Sequence, residues 1–108
     1  PCAGKISEIF YKPGKFINAS LDKSSEDNER NYYKIINKQS EEVIVVQIAG
    51  LIARRIVCEV SKDQELDQGS KIGMIRFGSR ADLYFENYEP LVKVNQKTIA
   101  GETLIAKK

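Results

Sequence analysis

Short apolar runs bounded by polar, turn-forming residues recur along this chain, a pattern that favours strands. Gly4 to Phe10 sets Ile6, Ile9 and Phe10 among polar residues and ends at Lys12-Pro13-Gly14, a strand followed by a turn. Tyr32 to Ile36 reads as a second strand and Asn37-Lys38-Gln39-Ser40 as a hairpin turn. Val43 to Ala49 follows as the most apolar strand, covered on both faces. Gly50 is placed to bend it. Ile52 to Val60 alternates imperfectly, because Arg54 and Arg55 are adjacent and in a strand must point to opposite faces. Asn18 to Asn31 is a polar loop with no buried face. Ser61 to Gly73 is turn-rich, anchored by Leu66 and Ile72, with Gly69 and Gly73 at positions suited to positive φ.

Further on, Met74-Ile75-Arg76-Phe77 has the look of a strand that breaks at Gly78-Ser79 and resumes as Ala81 to Phe85. A glycine inside a strand marks a bulge or a close backbone approach. Asn87 to Pro90 reads as a loop and Leu91 to Val94 as a strand. Asn95 to Ile105, passing through Gly101, then repeats in outline the turn-to-strand pattern of Ser61 to Gly73, a weak internal echo. No stretch has the period of a three-turn amphipathic helix. The expected fold is mainly β, a single domain over residues 1–108 built as an antiparallel β sandwich or barrel-sandwich of the lipoyl-like or duplicated hybrid class.

Composition narrows the function classes. The chain of 108 residues is 42% apolar and 30% charged with a formal charge of +2, which argues against nucleic acid as a partner and leaves a membrane surface open. The longest apolar run, Val43 to Ile48, contains Gln47 and falls far short of the ~20 residues that span a bilayer. The two cysteines, Cys2 and Cys58, suit neither a disulfide framework nor a metal site, and Cys58 is expected as a small buried apolar residue in a reducing compartment. There is no histidine, hence neither the commonest general base nor the commonest metal ligand, and no metal is expected. The opening Pro1-Cys2-Ala3-Gly4 reads as the interior of a longer protein.

Four segments carry the chemistry: Gly14-Lys15-Phe16-Ile17-Asn18-Ala19-Ser20, Ser25-Glu26-Asp27-Asn28-Glu29-Arg30-Asn31, Gln47-Ile48-Ala49-Gly50-Leu51-Ile52-Ala53-Arg54-Arg55-Ile56, and Phe77-Gly78-Ser79-Arg80. Together they closely resemble the short form of phosphatidylserine decarboxylase, over nearly the whole chain but only the C-terminal part of the family pattern. The resemblance implies that the chain is cut between Gly78 and Ser79 into residues 1–78 (β chain) and 79–108 (α chain), and that Ser79 becomes a covalent pyruvoyl cofactor. That ketone accepts the electrons freed when CO2 leaves the headgroup of phosphatidylserine, giving phosphatidylethanolamine. Gly78 suits the cut because no side chain shields its carbonyl.

The resemblance further implies ordered roles near the reaction centre for Asn28, Glu29 and Arg30. Arg54, Arg55, Arg76 and Arg80 are candidates for holding phosphate or carboxylate, which guanidinium groups bind in bidentate fashion. Asp82 is expected to pair at the strand surface. The family's Asp, in an Ala-Asp-Gly type segment, and its His, in a His-Val-Asn-Arg type segment, would both precede Pro1. This polypeptide alone is therefore expected to remain uncut at Gly78-Ser79. A peripheral enzyme on the cytoplasmic face of the membrane, dimerising through β edges, completes the expectation. Two alternatives stand beside it: a non-catalytic lipoyl-like binding or carrier module, against which Met74 lacks a neighbouring Lys, and a pyruvoyl decarboxylase acting on another amino-acid substrate.

Overall fold

The computed structural model describes residues 1–13, 29–49, 56–75 and 79–107, with Ser79 described by its backbone. Nine strands account for all regular structure among them: β1 (Gly4–Lys12), β2 (Arg30–Asn37), β3 (Glu42–Ala49), β4 (Ile56–Cys58), β5 (Glu65–Leu66), β6 (Gly73–Ile75), β7 (Ser79–Phe85), β8 (Glu89–Pro90) and β9 (Ala106–Lys107). A five-stranded antiparallel sheet in the order β5-β1-β2-β3-β7 forms the body, and the pairs β4-β6 and β8-β9 complete it. The architecture is an antiparallel β barrel-sandwich, as the strand pattern predicts.

Register explains which side chains meet. Ile6, Ile35, Val43 and Phe85 form one row across β1, β2, β3 and β7, and Ile9, Tyr33, Val45 and Leu83 form another two residues along. β-Branched and aromatic residues on these rows pack well on a pleated surface. Val60, together with Leu66 and Ile72 from the turn-rich segment, closes over Ile6, Tyr33, Ile35, Val43 and Val45 to make the core. Burying one such aliphatic side chain contributes about 1.5–3 kcal/mol. Leu66 and Ile72 are thus the anchors that the sequence indicates. Val46 and Ile48 point to the opposite face of β3 and are also buried, so this strand is covered on both sides as expected.

The hairpin turn between β2 and β3 is organised by Asn37. Its Oδ1 accepts from the backbone N–H groups of Gln39 and Glu41, while its Nδ2 donates to Glu41 Oε1 and to the Tyr88 hydroxyl. Tyr88 in turn meets Phe85 edge-to-face at 5.7 Å, which ties the end of β7 to the hairpin. The paired turns of the internal echo share one feature: Gly69 and Gly101 both take positive φ, 87° and 77°.

Several local expectations change. β2 begins at Arg30, so Arg30 and Asn31 are buried strand residues rather than loop, because the ladder with β1 and β3 captures their backbone groups. Cys58 is exposed, since β4 is a short strand outside the main sheet; its Sγ donates to the Val60 carbonyl. Leu91 to Val94 forms no strand, and pairing falls instead on Glu89–Pro90 with Ala106–Lys107. Gly73 does not take positive φ; a close approach, not a turn, requires it there. Gly50 and Ile52 to Arg55 lie outside the described residues.

Candidate functional site

The break at Gly78-Ser79 is not a kink in one strand. β6 pairs with β4, whereas β7 pairs with β3 in the main sheet, so the chain passes from one sheet to another across residues 76–78. Ser79 is the first residue of β7, an edge strand, and its register partner is Ala49. Ala81, the next residue of the same phase, stands opposite Gln47. The residues on either side of position 79 in this phase, Ala49 across the ladder and Ala81 along the strand, are both small.

Of the sequence-predicted site residues, Gly78, Asn28, Arg54, Arg55 and Arg76 lie outside the described residues. Glu29 is placed at the head of β2, where its carbonyl accepts from the Ala49 N–H at 3.0 Å and its carboxylate accepts from the Tyr11 hydroxyl at 2.5 Å. It therefore stands beside the residue that pairs with Ser79. Arg30 and Arg80 share one row, on either side of Ile48, and their side chains occupy one face of the sheet. Arg30 is buried with its guanidinium 5.9 Å from the Tyr32 ring centroid. Arg80 Nε donates to Asp82 Oδ1 at 2.8 Å, so Asp82 does pair at the strand surface.

Position 80 follows position 79 in the same strand, so the arginine row and the 79, 81, 83 phase belong to opposite faces. On the latter face lies a group that sequence reasoning missed. Asn31, opposite Gln47, and Tyr33, two residues further along β2, are buried with Gln47 in an otherwise apolar surround. The Tyr33 hydroxyl donates to Gln47 Oε1 at 2.6 Å. Burial pushes the Tyr33 phenol well above its usual range, with Cys58 adding to the shift and Asn31 opposing it. Tyr33 is thus a permanent donor at neutral pH. Asn31 Oδ1 is buried with no hydrogen-bond partner in the structure, an acceptor held in reserve beside Gln47. The signal available in the sequence was Gln47 itself, a polar residue inside the most apolar run, where burial demands a partner.

Gly73 of β6 roofs this group. A Cβ built there would meet the Val57 carbonyl, and would lie 2.8 Å from the Tyr33 hydroxyl and 3.0 Å from Gln47 Oε1. A groove of about 950 Å³ lined by Cys2, Val43, Leu83, Phe85 and Leu104 lies at the other end of β7 and is remote from Ser79. Among the described residues no group of His, Cys, Asp and Glu is arranged to hold a metal ion, and no helix is long and apolar enough to cross a membrane.

Comparison with known proteins gives a consistent result. The family model described as phosphatidylserine decarboxylase matches residues 1–106. A phosphatidylserine decarboxylase proenzyme of Pelagibacter ubique is 83% identical over 108 residues, covering 100% of this chain and 50% of the relative. The proenzyme of Solidesulfovibrio magneticus is 53% identical over 109 residues, covering 100% of this chain and 51% of its own length. That of Ruegeria pomeroyi is 55% identical over 107 residues, 98% of this chain and 49% of its own. The chain spans about half the length of the curated relatives it matches. No solved structure matches it.

Proposed function

The chain belongs to the phosphatidylserine decarboxylase family, and from that premise we propose that it forms part of a pyruvoyl-dependent enzyme that decarboxylates phosphatidylserine to phosphatidylethanolamine after cutting itself between Gly78 and Ser79. The observation that carries this reading is the sheet switch: the candidate bond sits where the chain leaves the β4-β6 pair and enters the edge of the main sheet. An interior strand bond would be fenced by ladder partners on both sides. Edge strands leave one side of their backbone unpaired.

In this reading the Ser79 hydroxyl adds to the Gly78 carbonyl carbon, and the amide C–N bond breaks as the nitrogen takes a proton, leaving an ester. Loss of the Ser79 α-proton then expels the Gly78 carboxylate and leaves a dehydroalanine. Water converts its enamine end to the ketone and releases ammonia. A pyruvoyl group formed there supplies an electron sink for loss of CO2. The rest falls to the chain's own residues. Ala49 and Ala81 flank position 79 across and along the ladder, and Glu29 stands at the head of β2. Arg30 and Arg80 lie on the opposite face, so a role in holding the headgroup phosphate would require it to approach around the edge of β7.

A peripheral place at a membrane, on its cytoplasmic face, is part of this proposal, and the second face of the sheet supplies the surface for it. There Phe10 and Tyr84 are 60% and 54% exposed on the same face as Lys12 and as Lys34, which pairs with Glu42. Aromatic rings beside lysines suit a headgroup layer. The test is mass spectrometry of the full-length protein together with release of CO2 from phosphatidylserine vesicles. Cleavage to a ketone-ended fragment starting at residue 79, abolished by Ser79→Ala, is the expected result. An intact chain in the full-length protein would overturn the proposal, and turnover of free amino acids alone would overturn the lipid assignment.

A further inference from the structure

The edge strand β7 leaves part of the core face uncovered. The phase that carries Ile35 on β2 and Val43 and Val45 on β3 continues on β7 as Phe85, Leu83 and Ala81, and reaches position 79 at the head of the strand. On β2 and β3 these residues are buried, whereas on β7 Ala81 is exposed and Leu83 is 38% exposed. Leu83 and Phe85 line one side of the groove of about 950 Å³, and Leu104, 53% exposed, lines it from the segment that leads into β9. That volume lies at the upper end of small-molecule sites, roughly 300–1,000 Å³. An open strip of one strand face therefore runs from position 79 past Ala81 into an apolar groove.

Distance decides what fits along it. At about 3.3 Å per residue, Leu83 stands roughly 13 Å and Phe85 roughly 20 Å from position 79. In phosphatidylserine about eight bonds separate the serine α-carbon from the nearer acyl carbonyl, and at the extension of a polypeptide backbone, three bonds to roughly 3.3–3.6 Å, they span about 9–10 Å. The headgroup amine and its link to a reacting group at position 79 add about two bonds more, which brings the ester close to Leu83. We infer that the groove is the acyl-chain subsite for the phospholipid: the strip beside Ala81 takes the phosphoglycerol, and Leu83, Phe85 and Leu104 take the start of one acyl chain. The inference rests on the decarboxylase reading above. A free amino acid is too short to reach Leu83, so the groove would recognise the lipid by its chain and not by its headgroup. Each methylene moved from water into apolar surroundings strengthens binding roughly 4-fold.

The test uses the full-length protein carrying this chain and compares kcat/KM for CO2 release from dibutanoyl and dihexanoyl phosphatidylserine, both below the concentrations at which they form micelles. One chain in the groove carries two more methylenes in the longer lipid, so a rise of roughly 10-fold is expected. Leu83→Thr and Leu104→Ser place a hydroxyl at partly exposed positions of the groove and should cut that rise to about 3-fold or less. General damage to the fold lowers the rates on both lipids and keeps their ratio, so a wild-type ratio in both variants would overturn the inference. Photo-crosslinking supplies a readout independent of turnover: phosphatidylserine with a diazirine near the middle of one acyl chain is irradiated with the protein in detergent, and the adducts are mapped by mass spectrometry. Adducts on the peptides holding residues 83–85 and 104–105 are expected. Adducts confined to other peptides, as when another part of the full-length protein fills the groove, would also overturn it. If no phosphatidylserine is decarboxylated, the underlying reading has failed first; if both lipids turn over equally fast, only the acyl-chain subsite has failed.

Discussion

Replacing Gly73 by alanine should damage this protein more than a change of one methyl group ordinarily does. The new carbon would press on the Val57 carbonyl across the β4-β6 pair, and on the Tyr33 hydroxyl and Gln47 Oε1 at 2.8 and 3.0 Å. The first contact is with backbone and the other two are with groups held by each other, so no flexible side-chain end is available to give way. Overpacking of this kind costs about 1–3 kcal/mol. Loss of the Tyr33–Gln47 bond adds about 1 kcal/mol. Against this, alanine in an extended conformation restricts the unfolded chain and returns about 0.4–1 kcal/mol. The net expectation is a loss of about 2–3 kcal/mol. With a urea m-value of about 1–2 kcal/mol/M, the midpoint should fall by about 1–3 M. Gly69→Ala is the control: its φ is 87°, but an added Cβ there meets nothing within 4 Å. It should cost only the backbone strain, about 1 kcal/mol. A Gly73→Ala midpoint at or above that of the wild type would refute the packing described here.

The remaining expectations are more local. Because burial raises the Tyr33 pKa above its ordinary 10.0, the folded state keeps a proton that the unfolded state gives up. Its contribution is complete below pH 10 and declines as pH rises further, so the stability gap between wild type and Tyr33→Phe should narrow in urea titrations above pH 10. Asn37→Ala removes the acceptor for two backbone N–H groups and the link to Tyr88, and should cost about 2–3 kcal/mol by the same measurement. Asp82→Asn breaks a partly exposed ion pair with Arg80 and should cost less than about 1 kcal/mol, shrinking with added salt. Cys58 is exposed, whereas burial pushes the Cys2 thiol up, so a thiol-reactive disulfide reagent at pH 8 should modify Cys58 first; equal rates would contradict the burial assigned to Cys2.

Apolar runs bounded by turn residues made most of the sheet legible in advance. Val43 to Ala49 announced a strand covered on both faces because nearly every position is apolar, and Leu66 and Ile72 stood out as anchors because they are isolated in a polar stretch. The same logic failed at Arg30 and Asn31, whose polarity marks a loop until neighbours on both sides supply ladder bonds and burial. It failed at Leu91 to Val94 for the converse reason, since apolar residues with no sheet to join make no strand. Cys58 was misjudged because burial depends on which sheet a strand enters, and a run of three residues does not say.

What the sequence by itself determined is the β class and the family, both carried by residue types at short spacing. What only the tertiary structure decided is which strands stand on either side of residues 76–78. Whether a break in an apolar run is a kink or a crossing between sheets depends on the partners of the strands on either side, and these lie far away in sequence: Cys58 faces Gly73, and Ala49 faces Ser79. The same long-range pairing brings Tyr33, Gln47 and Gly73 into contact, and places Arg80 on the face opposite to the phase of position 79. Local pattern records the face a residue prefers, and only the folded chain supplies what stands across from it.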